Sequence, residues 1–423
     1  MTELPKNYEP KEAEGPIYQK WQDSGFFNPD NLPVSTTPSS DSPANSSQLK
    51  AKSFSIILPP PNVTGTLHMG HAAMLAIQDI LIRYHRMKGD ATLWLPGTDH
   101  AAIATQSKVE KEISKKEGKS RYDLGREELL RRVNEFATQS HDTIVNQMKR
   151  MGASLDWSRE AFTLDKPRTK AVHEAFKRMY EAGLIYRGHR IVNWDPKGQT
   201  TISDDEIVYE EREATLYTFR YGPECPIEIA TTRLETKVGD VAIAVHPEGK
   251  WKQYIGQTFE IADFAGVPLK IAVVGDEGVD PEFGTGALGV TPAHSSIDWD
   301  IAQKNKLSTD RIVINGYAKM TELAGPLLVG KKTTEARELV AQWLRDKRLL
   351  VKEEKIKQNV STAERTGGII EPLPKLQWFV AVNKKFTLAN SKIKGIASGS
   401  QVTLKELMLA AVQNGDIAST PER

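Results

Sequence analysis

The sequence has a single cysteine, Cys225, among its 423 residues. One thiol cannot form a disulfide within the chain, and it cannot supply the thiolate pairs that many structural zinc sites use. The composition therefore excludes a disulfide-stapled fold and fits a reducing compartment. The N-terminus is charged and polar rather than signal-like, so the cytoplasm is the expected location.

Long apolar runs and an excess of charge of either sign are also lacking. No stretch approaches the roughly 20 apolar residues needed to cross a bilayer, so no membrane partner is expected. The 56 basic and 55 acidic residues balance, and an RNA ligand would therefore have to bind local basic patches. At 423 residues the chain is too long for one ordinary core, so two or three domains are expected.

The most informative stretch that is present is FSIILPPPNVTGTLHMGH, at 54–71. An apolar strand enters a proline-stiffened turn, and an apolar-periodic helix follows at Met69–Met87. This order is how an open α/β sheet presents a helix N-terminus to a phosphate group. His68 and His71 project from one side of the first turn, and Gly70 leaves room for a flat ring. The pattern predicts a nucleotide pocket; the alternative is a polar helix face, because HxGH alone is a common pattern.

Two blocks of sequence carry a family resemblance. PPPNVTGTLHMGHA at 59–72 and LPGTDHAAIATQ at 95–106 resemble, almost letter for letter, the signatures of the valyl-tRNA synthetases, which are class I aminoacyl-tRNA synthetases. The departure in the second block is Ala102, where glycine is usual. Further matching blocks are GASLDWSR at 152–159, GLIYRGHRIVNWDP at 183–196, ATTRLE at 230–235, GTGALGVTPAH at 284–294 and QWFV at 377–380. The resemblance extends from about Glu9 to Arg423.

The resemblance implies a two-step reaction that joins L-valine to tRNA(Val). The valine carboxylate attacks the α-phosphate of ATP, giving valyl-adenylate and pyrophosphate, and the 3′-terminal ribose of the tRNA then takes the valyl group as an ester. His68 and His71 are implied as catalytic residues that donate hydrogen bonds to phosphate oxygens. Together with Met69 and Gly70 they form the implied ATP-binding set, and Mg²⁺ is expected with the triphosphate.

The amino acid would bind beside the same turn. The resemblance assigns Pro59, Pro60 and Asn62 to a small apolar pocket and its rim, where stiff prolines suit selection by size. Asp99 would bind the valine ammonium from the carboxyl end of a strand. The alternatives are a turn that only orients the helix and an aspartate that only caps a turn.

A second site is implied by the substrate itself. A pocket sized for valine cannot strongly reject the near-isosteric threonine, and a valine-specific synthetase is itself the standard example of this limit. The resemblance therefore implies a hydrolytic editing site for threonyl-tRNA, in which Asp298 holds the threonine ammonium and two neighbouring threonines contact the 3′-adenosine. Its expected residues are Thr231, Thr232, Arg233, Glu235, Thr291, His294 and Asp298.

This chain has Leu234 where the family motif usually has proline, and two further departures matter more at this second site. Lysine is common in the family at the position of Gly289, and aspartate at the position of Ser295, so a cation and an acceptor are both expected to be lost. Structural roles stay open as well: Thr231 and Thr232 suit a strand, and His294 suits a hydrogen-bonded loop. An editing-only hydrolase and an inactive tRNA-binding fragment are therefore alternatives to a ligase.

The predicted fold class is α/β: the first part of a class I Rossmann-like nucleotide-binding domain, interrupted by an inserted mixed β-barrel-like editing domain. The predicted ranges are 1–48 for an N-terminal helix and a flexible Ser/Pro-rich linker, 49–209 for the first half of the catalytic domain, 210–355 for the editing domain and 356–423 for the return to the catalytic domain. The predicted helices are Glu12–Ser24, Met69–Met87, two within 106–151 with a break at Gly118, Lys166–Glu181 and Thr334–Lys347. Strands are predicted at Ala91–Leu95 and Tyr186–Val192, with short strands across 215–291.

Parts of the complete family pattern are absent from this sequence. It has no WWGHRIP-type block, no KMSKS-type loop and no helical anticodon-binding domain. We therefore expect a chain that lacks the C-terminal catalytic and anticodon-binding parts and forms little valyl-adenylate by itself. No zinc or other protein-bound metal is expected, because some relatives carry cysteine pairs where this chain reads DPKG at 195–198 and RTGG at 365–368.

Overall fold

The computed structural model describes residues 8–32 and 52–418. The linker predicted at 31–47 falls almost wholly outside the described residues. The chain divides into two compact units between Arg178 and Met179. Each unit has a hydrophobic core of its own.

The first unit is α/β. Its helices and strands are, in chain order, α1 (Pro10–Asp23), β1 (Ser53–Ile57), α2 (Met69–Met87), β2 (Ala91–Leu95), β3 (Gly97–Thr98), α3 (Ala102–Glu117), α4 (Arg121–Leu124), α5 (Arg126–Arg150), β4 (Ala161–Phe162) and α6 (Lys166–Glu181), whose last turn passes the boundary. β1 and β2 are parallel, with Ser53 opposite Ala91. Because parallel strands end at the same edge of a sheet, the turns that follow β1 and β2 meet there.

Helix α2 connects β1 to β2 and packs at the centre of this core. Leu75 and Ile82, two turns apart on one helix face, are buried together with Trp94 of β2. The Trp94 indole N–H donates to Gln78 Oε1 at 3.0 Å, so the polar atom of a fully buried ring is satisfied. The packing fixes the rotation of α2 and hence the direction in which its N-terminus faces.

The second unit is rich in β-structure. Its strands and helices are, in chain order, β5 (Ile185–Asp195), β6 (Thr200–Thr201), β7 (Ile207–Phe219), β8 (Ile229–Thr231), β9 (Ala242–Val245), β10 (Thr258–Phe264), β11 (Val267–Gly275), β12 (Ala287–Val290), α7 (Ser296–Asn305), α8 (Thr333–Asp346), β13 (Leu350–Ala363), β14 (Glu371–Val380), β15 (Phe386–Thr387), β16 (Gln401–Val402) and α9 (Leu404–Gln413). One sheet has the order β10–β11–β9–β12 and is mixed, since the β11–β9 pair is parallel and the other pairs are antiparallel. Two antiparallel sheets have the orders β13–β7–β8 and β14–β5–β6.

The main core of the second unit joins these strands to α8. Phe219 of β7, Phe264 of β10 and Leu344 of α8 are fully buried in it, and the two phenylalanine rings lie 5.7 Å apart. β9 is buried at all four positions, as expected of a strand with neighbours on both edges and cover on both faces. The strands that carry the residues of the predicted second site are therefore anchored in this hydrophobic core.

Most predicted elements are present. α2, β2 and α6 have the predicted bounds, and α1 and α8 differ by one or two residues at each end. The region 102–150 holds three helices rather than the two predicted, because a Ser120–Asp123 capping box starts the short α4 and Gly125, with a positive φ, ends it. Gly118, also at positive φ, ends α3 as predicted.

The long pairing of β7 with β13 was not predicted. It runs from Phe219 opposite Leu350 to Ile207 opposite Ala363, so the predicted domain boundaries at 210 and 356 both fall inside one ladder. The mixed sheets and the α/β class are confirmed, whereas an editing domain inserted into a Rossmann-like domain stays a prediction. Across the described ranges, every helix is too short or too polar to span a membrane.

Candidate functional site

Two backbone hydrogen bonds join the proline-rich turn to the segment after β2. The Val63 N–H donates to the Asp99 carbonyl at 2.9 Å, and the Asp99 N–H donates to the Pro61 carbonyl at 2.8 Å. Asn62 and Asp99 are therefore paired across an isolated parallel bridge. The predicted valine-site residues on this edge are all at least partly exposed: Pro59, Pro60, Asn62 and Asp99.

The two histidines cap the N-terminus of α2 reciprocally. His68 is the N-cap residue; its Nδ1 accepts from the Gly70 N–H at 3.1 Å, and its own N–H donates to His71 Nδ1 at 3.3 Å. The ring centroids are 4.0 Å apart. Since each Nδ1 accepts a hydrogen bond, the proton of each neutral ring is assigned to Nε2. The motif therefore presents two N–H donors at the positive end of a helix dipole, where anions bind.

The neutral form of the His71 ring is favoured at this place. Burial and the neighbouring His68 ring together lower the pKa of His71 below its ordinary value. Gly70 permits the arrangement, because a Cβ there would lie 2.9 Å from His68 Cε1. The flat ring that the sequence predicts against Gly70 is thus, in this structure, the imidazole of His68 itself. Met69 is 83% exposed beside it.

Asp99 has one carboxylate oxygen engaged within the chain. Its Oδ1 accepts from the Thr163 hydroxyl at 2.9 Å and from the Ala101 N–H at 3.1 Å. Within the described residues Oδ2 has no hydrogen-bond partner, and the side chain is about a third exposed. Asp99 therefore caps a turn with one oxygen, as the structural alternative predicts, and offers the other oxygen to solvent or to a cation.

Thr163 and His100 complete this edge, and the sequence analysis did not name them. The His100 N–H donates to Thr163 Oγ1 at 2.9 Å, and His100 Nδ1 lies 2.6 Å from the same hydroxyl. Thr163 follows β4, which pairs with β3 just before Asp99. Only the pairing of two distant segments brings the hydroxyl here, so no local pattern around Thr163 could have indicated it.

At the second site, Arg233 and Glu235 belong to a network of four charges in which the two glutamates are buried and the two arginines are partly exposed. Arg233 donates to Glu235 Oε1 at 3.2 Å and to Glu371 Oε2 at 2.5 Å, and Arg337 makes two bonds of 2.7 and 2.8 Å to Glu235. Glu235 is fully buried. Burial alone would raise its pKa, but the hydrogen bonds from Arg337 and the charge of Arg233 outweigh it and lower the pKa of this carboxyl. Burial raises the pKa of Glu371 despite Arg233.

Thr291 and Asp298 are joined directly. The Thr291 N–H donates to Asp298 Oδ2 at 2.7 Å, while Ser295 Oγ donates to Asp298 Oδ1 at 3.0 Å and accepts from the Asp298 N–H at 3.2 Å. Ser295 is thus the N-cap of α7, in place of the aspartate that the family resemblance expects. Asp298 is 5% exposed and its two oxygens are both engaged.

His294 has the contacts of a structural residue. Its Nε2 accepts from the backbone N–H groups of Val313 and Ile314 at 3.0 and 3.2 Å, and its Nδ1 lies 3.4 Å from the Pro372 carbonyl. Burial lowers its pKa to about 3. Nδ1 therefore carries the proton, and the ring contacts three backbone groups in two other segments, as the loop alternative predicts.

A lysine that the sequence analysis missed lies at the centre of this site. The Lys237 ammonium donates to Asp240 Oδ1 at 2.9 Å, to the Gly289 carbonyl at 2.8 Å and to Thr291 Oγ1 at 2.9 Å. Lys237 thus places a cation 3.2 Å from where a Cβ at position 289 would lie, although position 289 itself is glycine. The lysine-to-aspartate spacing of three was the available signal, because a lysine in the apolar run KVGDVAIAV needs a partner.

Of the two threonines before Arg233, Thr231 is tied to its own turn. Its Oγ1 accepts from the Arg233 N–H at 3.0 Å. Thr232 is partly buried and makes no side-chain hydrogen bond within the described part of the chain. Thr231 ends β8, and β8 lies beside β12, which leads to Thr291. The structure therefore brings the two predicted motifs of the second site to neighbouring strands.

Residues 16–412 match the sequence model of the family described as tRNA synthetases class I (I, L, M and V). The chain belongs to this family. Synthetase relatives include the valine–tRNA ligases of Streptococcus pyogenes serotype M28 (43% identical over 388 residues, 91% of this chain and 42% of the relative) and Carboxydothermus hydrogenoformans (45% over 400 residues, 94% and 43%). This synthetase chain spans about two fifths of the length of these relatives. A crystal structure of a ternary complex, Agrobacterium radiobacter K84 agnB2 LeuRS-tRNA-LeuAMS, matches at TM-score 0.38 and 19% identity, covering 87% of this chain and 49% of that one.

In this synthetase chain, hydrogen bonds join the two loops in which the resemblance places cysteine pairs. Asp195 is fully buried; its carboxylate accepts from the Thr366 hydroxyl at 2.7 Å and from the Lys197 N–H at 2.9 Å. Over the described ranges, no three His, Cys, Asp or Glu side chains converge in a way that could hold a metal ion. Both loops are therefore connected by side-chain and backbone bonds of the protein itself.

Proposed function

We propose that this chain binds ATP and valine for adenylate formation as part of a valine–tRNA ligase. The observation that carries the proposal is the reciprocal capping of His68 and His71, which leaves two Nε2–H donors at the N-terminus of α2. The valine–tRNA ligase names of the relatives support valine as the amino acid. The two blocks around this site, at 59–72 and 95–106, are also those with the clearest family resemblance.

The proposed chemistry needs positioning rather than covalent help from the protein. A carboxylate oxygen of valine attacks the α-phosphorus of ATP, the bond to the β-phosphate oxygen breaks, and pyrophosphate leaves with its electron pair. His68 and His71 donate N–H bonds to phosphate oxygens as negative charge builds, and neither takes or gives a proton. A magnesium ion, carried by the triphosphate itself, neutralises phosphate charge when bound.

Valine selection is assigned to the same sheet edge. Asp99 Oδ2 accepts from the substrate ammonium, while Oδ1 stays held by Thr163. Pro59, Pro60 and Asn62 limit the size of the side chain that fits, because proline rings fix the backbone of the turn. The transfer of the valyl group to tRNA(Val) follows from the same proposal.

Binding of a non-hydrolysable valyl-adenylate analogue to the purified chain, measured by calorimetry, tests this assignment. Asparagine keeps the N-cap acceptor but removes the outward N–H, so His68→Asn is expected to weaken binding about tenfold or more at unchanged helix stability. His189→Asn, at an exposed position on β5, is the matched control and is expected to bind like the parent chain. Equal affinity of His68→Asn and the parent, or no binding by either, would contradict the proposal.

We also propose hydrolysis of threonyl-tRNA(Val) by the second unit. The observation that favours it is the Thr291–Asp298 pair, held beside β8 by buried bonds. Thr231 and Thr232 would contact the 3′-adenosine, Asp298 the threonine ammonium, and Arg233, Glu235 and His294 would brace the loops around them. Removal of the Asp298 carboxylate in Asp298→Ala should lower the rate of threonyl-tRNA deacylation about tenfold or more.

Control variants separate the two proposed activities. His68→Asn is expected to deacylate threonyl-tRNA(Val) at the parental rate, since it lies in the other unit. A parent chain that leaves threonyl-tRNA(Val) intact would rule out the hydrolytic proposal and leave the adenylate proposal standing.

A further inference from the structure

Four side chains from three segments form a buried polar cluster in the second unit: Tyr221, Lys237, Asp240 and Thr291, which are 0, 5, 1 and 2% exposed. We call this set the lysine cluster. Tyr221 follows β7, and Thr291 follows β12. Lys237 lies in the 3₁₀ helix Leu234–Gly239 after β8, and Asp240 directly follows that helix. Three segments of the chain are thus joined by buried polar bonds.

Every donor of the Lys237 ammonium is used. Its three bonds, to Asp240 Oδ1, the Gly289 carbonyl and Thr291 Oγ1, match the three N–H donors of the group. Asp240 in turn accepts from the hydroxyls of Tyr221 and Thr291 in addition to Lys237. A buried ion pair is tolerated only when such bonds are complete, because desolvation of each charge is costly. The geometry of the cluster is therefore tightly specified.

The Thr291 side chain has its orientation set by these bonds. Its hydroxyl donates to Asp240 and accepts from Lys237, so both the rotamer and the direction of the proton are fixed. Its backbone N–H donates to Asp298 Oδ2. The cluster consequently reaches the Asp298 carboxylate through one residue.

The glycine at 289 is what makes room for the cluster. A Cβ at this position would lie 2.5 Å from both Asp240 Oδ2 and the Tyr221 hydroxyl, and 3.2 Å from Lys237 Nζ. Any side chain on this strand position would displace at least one member. Gly289 and the lysine cluster therefore depend on each other.

We propose that Lys237 and Asp240 are positioning residues for the hydrolytic site, holding Thr291 and, through it, Asp298 in the geometry that deacylates threonyl-tRNA. The inference rests on the proposed hydrolytic function. Neither residue touches the substrate, since both are buried beneath Thr291. Their effect is expected on the rate of the chemical step rather than on tRNA binding.

The test compares the parent chain with Lys237→Met/Asp240→Asn. Removing both charges together avoids an unpaired buried ion, so the melting temperature is expected to stay within a few degrees of the parent. The kcat for deacylation of threonyl-tRNA(Val) is expected to fall about tenfold or more while KM changes less than about twofold, because substrate contacts are kept. Hydrogen exchange of the Thr291 backbone amide, which does not depend on activity, is expected to speed up about tenfold or more.

The control is Lys304→Met/Asp276→Asn, which removes another Lys–Asp pair of the same unit, with a 3.2 Å contact. It is expected to deacylate like the parent. If the parent chain deacylates and the folded Lys237→Met/Asp240→Asn variant has the same kcat, this inference is overturned and the hydrolytic function stands. A parent that does not deacylate overturns the hydrolytic function and this inference with it.

Discussion

The two candidate sites use their polar groups in opposite ways. At the edge of the β1–β2 sheet, His68 is exposed, His71 is partly so, and their outward nitrogens have no partner among the described residues. At the second site, Glu235 and Lys237 are buried and their charges are paired within the protein. The first arrangement leaves two outward N–H donors for the phosphate ligand that we propose. In the second arrangement the hydrogen bonds and ion pairs hold loops in place.

This difference predicts whether the replacement of a motif residue lowers ligand binding or lowers the free energy of unfolding. An exposed donor that waits for a ligand adds little to folding, so its loss shows in binding. A buried charge holds neighbouring segments in place. The loss of its partner lowers the free energy of unfolding, because the remaining ion stays desolvated. Three changes, from the largest expected effect to the smallest, can break or sharpen this comparison.

The largest effect is expected for Arg337→Met. It leaves the fully buried Glu235 with only the 3.2 Å side-chain bond from Arg233. Breaking a buried pair from one side costs about 3 to 5 kcal/mol of unfolding free energy, and because Arg233 stays in place we expect the lower end, about 3 kcal/mol. Urea unfolding measures it. Lys357→Met, which removes the exposed pair with Glu211 on the β13–β7 sheet, is the matched control and should cost less than about 1 kcal/mol. Equal losses for the two variants would show that burial does not separate these pairs.

An intermediate effect is expected from acid at His294. Its pKa is about 3 in the folded chain against 6.5 for an ordinary histidine, so between these values the unfolded chain binds more protons. The stabilising contribution is therefore complete above pH 6.5 and is lost as the pH falls towards 3. By pH 5 the loss should reach about 2 kcal/mol.

His294→Gln keeps an acceptor but cannot take up the proton. The difference in unfolding free energy between pH 7 and pH 5 should accordingly shrink in this variant by the same 2 kcal/mol, roughly. His189→Gln, at an exposed position, should retain the parental pH dependence. A parental slope in His294→Gln would mean that the buried ring is not what loses stability in acid.

The smallest effect concerns the backbone at the first site and has the opposite sign. Ala102 adopts a φ of +30° directly after Ala101 at +49°, a conformation that glycine adopts without strain. Ala102→Gly is expected to raise the unfolding free energy by about 0.5 to 1 kcal/mol. Ala104→Gly, within the same helix, should lower it by about 1 kcal/mol. Thermal unfolding that shows a loss for both variants would refute strain at Ala102.

Local sequence was a good guide where a segment forms its own bonds. The bounds of α2 follow from its apolar period and from the two histidines that cap it, all within about 20 residues. The break after α3 follows from Gly118 alone. By contrast, β7 is longer than predicted because its first half is held by β13, about 150 residues later in the chain. The alternation of polar and apolar residues within 207–214 cannot indicate a partner strand so distant in sequence.

The same division applies to the sites. The motif around His68 names its own residues, since the donors, the cap and the glycine are adjacent in sequence. The second site is built from bonds between distant segments, and Lys237 and Arg337 had no motif to mark them. His294 has a motif, yet its contacts to Val313 and Ile314 are those of a brace. A sequence motif indicates which residue types recur in a family, whereas the contacts of each side chain in the structure indicate its role.

The sequence by itself determined the family of this protein, the motif residues of the two candidate sites, and the helix whose N-terminus carries the paired histidines. Those features depend on residues within a turn or two of one another, and short-range sterics and hydrogen bonds act on them directly. The tertiary structure alone decided which charges are buried, which carboxylate oxygens are engaged, and that Lys237 donates to the Gly289 carbonyl from another segment. Burial and long-range pairing depend on how distant segments pack, and the free energy of a charge depends on that packing.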